Sequence, residues 1–93
     1  MIRQVEFTRR AEKQVRRLPE RVLRKLKTWT YLVEEIGLEE VRKTPGYHDE
    51  PIVGRRHGMR SIRLSRAYRA MYRLVRHGNV EVVSIEEVSK HGY

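Results

Sequence analysis

Residues 60–85 read RSIRLSRAYRAMYRLVRHGNVEVVSI, and this stretch decides the fold because it predicts three consecutive β-strands. Apolar and polar side chains alternate along 60–65 and 68–76, whereas 80–85 carries apolar side chains on both faces, as an interior strand would. The residues HGN at 77–79 tolerate positive φ and predict a tight turn between the last two strands. We therefore expect a small, mostly antiparallel sheet.

The order of side chains along the first two strands places arginines on one face of this sheet. Strand neighbours point to opposite faces, so Arg63 should lie opposite Ile62 and Leu64. By the same rule Arg69 and Arg73 share one face of the second strand. One face of the sheet is thus apolar and can receive helices, while the other presents arginines.

The N-terminal half of the chain predicts a short strand followed by two helices. Residues 1–7 alternate as a strand does, Thr8 can cap a first helix, and Pro19 ends that helix. A second amphipathic helix follows and ends at Gly37, a residue suited to a helix C-terminus. The proline- and glycine-rich residues 44–58 predict an ordered loop.

These elements fit a single domain that covers residues 1–93. We expect an α+β fold, in which an N-terminal strand and a helical hairpin pack on one face of the sheet. The helix stripe and the strand parity predict one shared core. Its members should be Trp29, Val33, Ile36, Ile62, Leu64 and either Val82 or Val83.

The charge of the chain indicates a polyanionic partner. The formal net charge is +9, and residues 51–80 contain eight arginines but no lysine and no acidic residue. Arginine suits phosphate because its planar guanidinium group binds two oxygens at once. A solvated face that merely keeps the protein soluble is the alternative interpretation.

The composition also excludes several kinds of site. The chain has no cysteine, which excludes disulfides, thiolate zinc sites and cysteine nucleophiles. Its four histidines lack metal-ligand spacing, so we expect neither a metal nor another cofactor. No apolar run reaches the length of about 20 residues that spans a bilayer, and the first residues lack the apolar core of a signal peptide. We expect a cytoplasmic protein without a membrane partner.

The remaining polar residues suit cleavage of RNA without a metal. That reaction needs a base for the 2′-OH proton, cations for the charge on phosphate oxygens, and an acid for the leaving 5′-oxygen. Glu50 and His91 could share the proton transfers, while Arg63 and Arg69 could hold the phosphate. The residues alone leave another interpretation open, in which Glu50 merely ends a loop and His91 lies on a frayed terminus.

Three short segments resemble the RelE/ParE superfamily of bacterial toxin–antitoxin toxins. They are HDEPI at 48–52, GMRSIRL at 58–64 and RAYRAMY at 66–72, similar to the family patterns E-P-L, G-x-x-S-x-R and Y/H-R-x-x-Y. The similarity extends over nearly the whole chain and implies a RelE-like fold. Its YoeB-like members are messenger-RNA endonucleases that act in the ribosomal A site.

The resemblance implies a role for each candidate residue. Glu50 becomes the general base, Arg63 and Arg69 become phosphate ligands, and His91 and Tyr93 become the acid and base-stacking groups. Further RNA contacts are expected from basic residues in the same region of the chain. These are Arg55, Arg56, Arg60, Arg73 and Lys90.

The resemblance also implies partners and leaves alternatives. The expected partners are messenger RNA on the ribosome, with contacts to 16S ribosomal RNA, and a cognate antitoxin protein that covers the arginine face in a toxin–antitoxin hetero-oligomer. A gyrase-inhibiting toxin of the ParE type shares this fold but cuts no RNA. A nucleic-acid-binding module without activity would also account for the arginines.

Overall fold

The structure, a computed structural model, describes residues 1–54 and 58–90. Its helices are α1 (Arg9–Val15), α2 (Glu20–Ile36) and α3 (Leu38–Val41), and a 3₁₀ turn spans Pro45–Tyr47. Its strands are β1 (Gln4–Phe7), β2 (Glu50–Pro51), β3 (Arg60–Arg63), β4 (Tyr68–His77) and β5 (Val80–Lys90). The strands form one sheet in the order β1-β5-β4-β3-β2, in which β1 runs parallel to β5 and the other pairs are antiparallel. None of the helices within the described ranges is long and apolar enough to cross a bilayer.

The ends of the helices follow from local chemistry. The Thr8 hydroxyl accepts a hydrogen bond from the Ala11 amide at 3.1 Å, which caps α1 as the sequence predicts. Helix α1 ends before the predicted stop at Pro19, because the Leu18 amide turns back to the Val15 carbonyl three residues earlier. Helix α2 ends at Gly37, where φ is +89° and a Cβ atom would lie 2.7 Å from Cγ of Met1. Glycine adopts a positive φ without strain, and because it has no Cβ atom it avoids the contact with Met1.

The core lies between α2 and one face of the sheet. Trp29 is fully buried and stacks on Tyr72 of β4, with ring centroids 5.3 Å apart. The predicted core residues Val33, Ile62, Leu64 and Val83 are buried with Trp29 in the same cluster. The prediction for Ile36 is wrong: its side chain is 45% exposed. It is the last residue of α2, and Leu38 and Val41 of α3 are fully buried instead.

The sheet confirms the three predicted strands and extends the last one. Residues 78 and 79 form the turn that joins β4 to β5, and Gly78 has φ of +64°. Strand β5 continues to Lys90, past the predicted end at Ile85. The register shifts there, since Met71 pairs with Glu87 but Tyr72 pairs with Ile85. Glu86 is therefore the extra residue of a β-bulge, which lets the strand continue.

The predicted loop at 44–58 also contributes to the sheet. Residues Glu50–Pro51 form the edge strand β2, in which Glu50 is paired with Ser61 and Pro51 with Arg60 of β3. Proline has no N–H to donate to a neighbouring strand. It is tolerated on an edge strand because one side of that strand has no neighbour to accept a hydrogen bond. This pairing fixes Glu50 beside the residues of β3, where the sequence predicts only a loop.

Candidate functional site

The sheet surface opposite the helices carries the candidate site, and we call it the arginine face. Its basic residues are Arg63 of β3 and Arg69 and Arg73 of β4, and Glu50 and Ser61 lie on the same side. Arg63 and Arg69 are direct cross-strand partners, as are Glu50 and Ser61. Since paired residues project to the same side of a sheet, the predicted parity of the arginines is confirmed by the register.

Arg69 is the most buried of the three arginines on this surface. Its Nη2 donates to the Ser61 hydroxyl at 3.1 Å and lies 3.3 Å from Oε1 of Glu50. The Arg69 side chain is only 12% exposed, whereas that of Glu50 is 64% exposed. The guanidinium is thus held in place, while the carboxylate stays open to solvent. This arrangement sets an exposed carboxylate, a group able to accept a proton, next to a fixed cation.

The pairing of Arg63 with Arg69 leaves excess positive charge at one point of the sheet. Like charges directly opposite each other on neighbouring strands are destabilising. The Arg63 side chain is exposed and makes no ion pair with any residue in the described ranges. An anion placed between the two guanidinium groups would relieve this repulsion. A phosphate group, which two arginines can bind through paired oxygens, fits that requirement.

Asp49, the residue before Glu50, is held in place by its own buried carboxylate. The Asp49 side chain is 1% exposed, and its two oxygens accept from Nε of Arg60 at 2.6 Å and from the Tyr72 hydroxyl at 2.5 Å. Nε of Arg42 in turn donates to the Tyr72 oxygen at 3.4 Å. Asp49 therefore faces the helix side of the sheet while its neighbour Glu50 faces the arginine face. The fixed Asp49 holds the backbone that carries Glu50.

The same cluster shifts two ionisation equilibria. Burial raises the pKa of the Tyr72 phenol above its ordinary value, and the hydrogen bond to Asp49 adds to this effect while the one from Arg42 opposes it. For Arg60, burial by itself lowers the pKa, but the hydrogen bond and charge of Asp49 outweigh it and raise the pKa. Tyr72 is therefore neutral and Arg60 is charged at physiological pH.

Several solved structures share this arrangement of helices and strands. The YoeB/ParE toxin from Agrobacterium tumefaciens is 18% identical, with a TM-score of 0.67 over 96% of this chain and 99% of that one. YafQ from E. coli is 20% identical, with a TM-score of 0.72 over 95% of this chain and 92% of that one. A chain of the E. coli RelBE toxin–antitoxin complex is 27% identical, with a TM-score of 0.62 over 97% and 98% of the two chains.

The chain has the fold of these RelE-, YafQ- and YoeB/ParE-type toxins. The resemblance in the sequence is confirmed by these structures, and so is the predicted α+β architecture with its N-terminal strand. Searches with protein-family models and against curated proteins give no match. At identities of 18–27%, these structures establish that the chains share one architecture.

Within this RelE/ParE fold, the remaining predicted residues fall into three groups. Arg73 lies on the arginine face, with its Nε 3.9 Å from Oε2 of Glu86. Arg60 and Lys90 are paired with Tyr72 and Tyr68, which places them on the helix side of the sheet. The third group lies outside the described residues and comprises Arg55, Arg56, His91 and Tyr93. The roles of all these residues stay predictions.

Two serines complete the site and carry no role in the sequence-based prediction. Ser61 accepts the hydrogen bond from Arg69, and its signal in the sequence is its place in the G-x-x-S-x-R segment. Ser89 is the cross-strand partner of Arg69, and its buried hydroxyl has no hydrogen-bond partner among the residues that the structure describes. Among residues 1–54 and 58–90, no cluster of three or more His, Asp or Glu side chains could hold a metal ion.

Proposed function

We propose that this chain is the toxin component of a type II toxin–antitoxin system and cleaves messenger RNA on the ribosome. The observation that supports cleavage most directly is the 3.3 Å approach of Glu50 to Arg69, beside the exposed Arg63. The residues proposed as the base and as the two phosphate ligands therefore share one accessible surface. The toxin assignment is supported by the fold, which this chain has in common with the YoeB/ParE toxin from Agrobacterium tumefaciens and with a chain of the E. coli RelBE toxin–antitoxin complex.

The proposed reaction uses the 2′-oxygen of the RNA as nucleophile. Glu50 takes the proton from the 2′-OH, and the oxygen attacks the adjacent phosphorus. Arg69 and Arg63 stabilise the negative charge that collects on the phosphate oxygens. The bond from phosphorus to the 5′-oxygen breaks, which leaves a 2′,3′-cyclic phosphate and a 5′-hydroxyl after that oxygen gains a proton. The resemblance assigns the acid and base-stacking roles to His91 and Tyr93.

The proposed partners follow from the charge of the chain. Ribosome-bound messenger RNA and 16S ribosomal RNA present phosphates, which a chain of net charge +9 attracts. The second partner is a cognate antitoxin. The similar E. coli structures of RelBE and DinJ–YafQ are toxin–antitoxin complexes, and an acidic or amphipathic segment would neutralise the arginine face of this chain. Such a segment would cover Glu50 and block access to RNA.

The alternative function is that of a ParE-like gyrase inhibitor. The name of the Agrobacterium tumefaciens toxin joins YoeB and ParE, and the fold accommodates either activity. A gyrase inhibitor that cuts no RNA would not require Glu50 and Arg69 to be in contact. Two assays separate the functions: mapping of new messenger-RNA 5′ ends on translating ribosomes, and DNA supercoiling by gyrase. We expect ribosome-dependent cleavage and unaffected supercoiling, and the reverse result would establish the alternative.

A further inference from the structure

One nitrogen of Arg69 is shared between two acceptors of different kinds. Its Nη2 donates to the Ser61 hydroxyl oxygen at 3.1 Å and to Oε1 of Glu50 at 3.3 Å. Because an Nη nitrogen of a guanidinium group carries two hydrogens, each acceptor can take one of them. Glu50 is charged and its side chain is 64% exposed, whereas Ser61 is neutral and only 5% exposed. We therefore expect the two contacts to respond differently when an anion approaches Arg69.

The position of the Ser61 hydroxyl is fixed by the backbone of the sheet. Ser61 lies within β3, between β2 and β4, and is the cross-strand partner of Glu50 on one side and of Met71 on the other. The pairing of β2 with β3 continues at the Ile52 amide, which donates to the Met59 carbonyl at 2.9 Å. A strand with neighbours on both sides cannot shift without breaking its ladder hydrogen bonds. Since one staggered torsion sets the place of a serine oxygen, Ser61 offers Arg69 a fixed acceptor.

The contact of Glu50 with Arg69 is the weaker of the two. Glu50 belongs to the two-residue edge strand, and water and salt screen an exposed ion pair of this kind. In the proposed reaction a phosphate group binds Arg69, and its negative charge repels the nearby carboxylate. Glu50 also needs an oxygen lone pair to accept the proton of the 2′-OH. The substrate should therefore replace Glu50, and not Ser61, as an acceptor of Arg69.

We propose that Ser61 is a positioning residue for the cleavage reaction, which keeps the Arg69 guanidinium in place when Glu50 loses its contact with it. The inference rests on the proposed function for the reaction that Arg69 serves. The Ser61 hydroxyl carries no charge, so it orients the guanidinium without neutralising it. A cation that is oriented in advance stabilises the developing charge on phosphate without reorganisation during the reaction.

The fixing of Arg69 by Ser61 is tested by NMR relaxation of the arginine Nε–H groups in the full chain, without RNA. Glu50→Ala removes the exposed acceptor, and Ser61→Ala removes the buried one. We expect the order parameter of the Arg69 Nε–H group to stay near the value of a rigid backbone, about 0.85, in Glu50→Ala and to fall below about 0.6 in Ser61→Ala. The matched control is Ser84→Ala, because Ser84 is 3% exposed on β5 and donates to Glu86 instead. Loss of order in Glu50→Ala, or a rigid Arg69 in Ser61→Ala, would overturn the proposal.

The effect of Ser61 on the chemical step is measured by single-turnover cleavage of ribosome-bound messenger RNA. We expect Ser61→Ala to lower the rate by about 10–100-fold, as misplacement of a reacting group does, and Ser84→Ala to stay within about threefold of the wild type. If Ser61 acts through Arg69, adding Ser61→Ala to Arg69→Gln should lower the rate no further. Rate losses that multiply in the double variant would overturn the positioning role. A wild-type protein that cuts no RNA would refute the proposed endonuclease alone, because the NMR measurement tests the contact of Ser61 with Arg69 independently.

Discussion

Replacement of Arg69 by glutamine should separate catalysis from stability. Arg69 contacts the 64% exposed Glu50 carboxylate and the Ser61 hydroxyl. The exposed ion pair is worth at most about 1 kcal/mol, and the hydrogen bond contributes about 0.5–1.5 kcal/mol. Loss of the repulsion from Arg63 returns about 0.2–1 kcal/mol. We therefore expect a net destabilisation of about 1 kcal/mol, which lowers Tm by about 4–8 °C in a domain of this size.

The effect of Arg69→Gln on cleavage should be far larger than its effect on stability. Loss of one fixed donor to a developing anion lowers the rate by about 100–1,000-fold, equivalent to about 2.7–4 kcal/mol. Single-turnover cleavage of ribosome-bound messenger RNA measures this effect apart from product release. The control is Arg76→Gln, which removes the same charge from an exposed position farther along β4. Cleavage by Arg69→Gln within about threefold of the control would refute the assignment of Arg69, given that a loss of about 100-fold is expected.

Three further predictions concern the core, the buried cluster and the salt dependence. Trp29→Ala should lower the free energy of unfolding by about 3–5 kcal/mol in a urea titration; because Nε1 of Trp29 has no hydrogen-bond partner within residues 1–54 and 58–90, this cost comes from packing. Tyr72→Phe should cost about 1–3 kcal/mol in the same titration, since it leaves one oxygen of the buried Asp49 without its donor; an unchanged midpoint would contradict the cluster. Binding to ribosomes should weaken at least about 20-fold between 50 and 200 mM salt if the three arginines of the arginine face contact phosphates; a salt-independent affinity measured by co-sedimentation would contradict that role.

The parts of the fold predicted from sequence are those that short-range patterns determine. The alternation along β3 and β4 is enough to place Arg63 and Arg69 on one face, and the register makes them direct partners. The end of β5 was beyond such a pattern, because the acidic pair Glu86 and Glu87 interrupts the apolar run. The structure accommodates Glu86 in a bulge and pairs Glu87 with Arg10 at 3.5 Å. The bulge at Glu86 and the ion pair of Glu87 both depend on residues that are distant in the sequence.

The candidate site shows the same division between local and long-range information. Glu50 is recognisable from the family pattern, yet its position follows from pairing with Ser61, eleven residues later. The Asp49 cluster is harder to foresee, since a carboxylate in a polar loop normally stays solvated. Its burial depends on Arg60 and Tyr72, which come from two other strands. No sequence period links these three residues.

The Asp49 cluster and the arginine face together explain how a two-residue strand can position Glu50, the proposed base. A strand as short as β2 has too few ladder hydrogen bonds to be stable alone, so its place depends on side chains. Asp49 supplies these contacts on the helix side, where burial and two strong hydrogen bonds fix it. Glu50 can then remain exposed. In the proposed reaction, phosphate binds the Arg69 guanidinium and Glu50 accepts the proton of the substrate. The stability and the chemistry of this edge of the sheet are therefore carried by neighbouring carboxylates that face opposite ways.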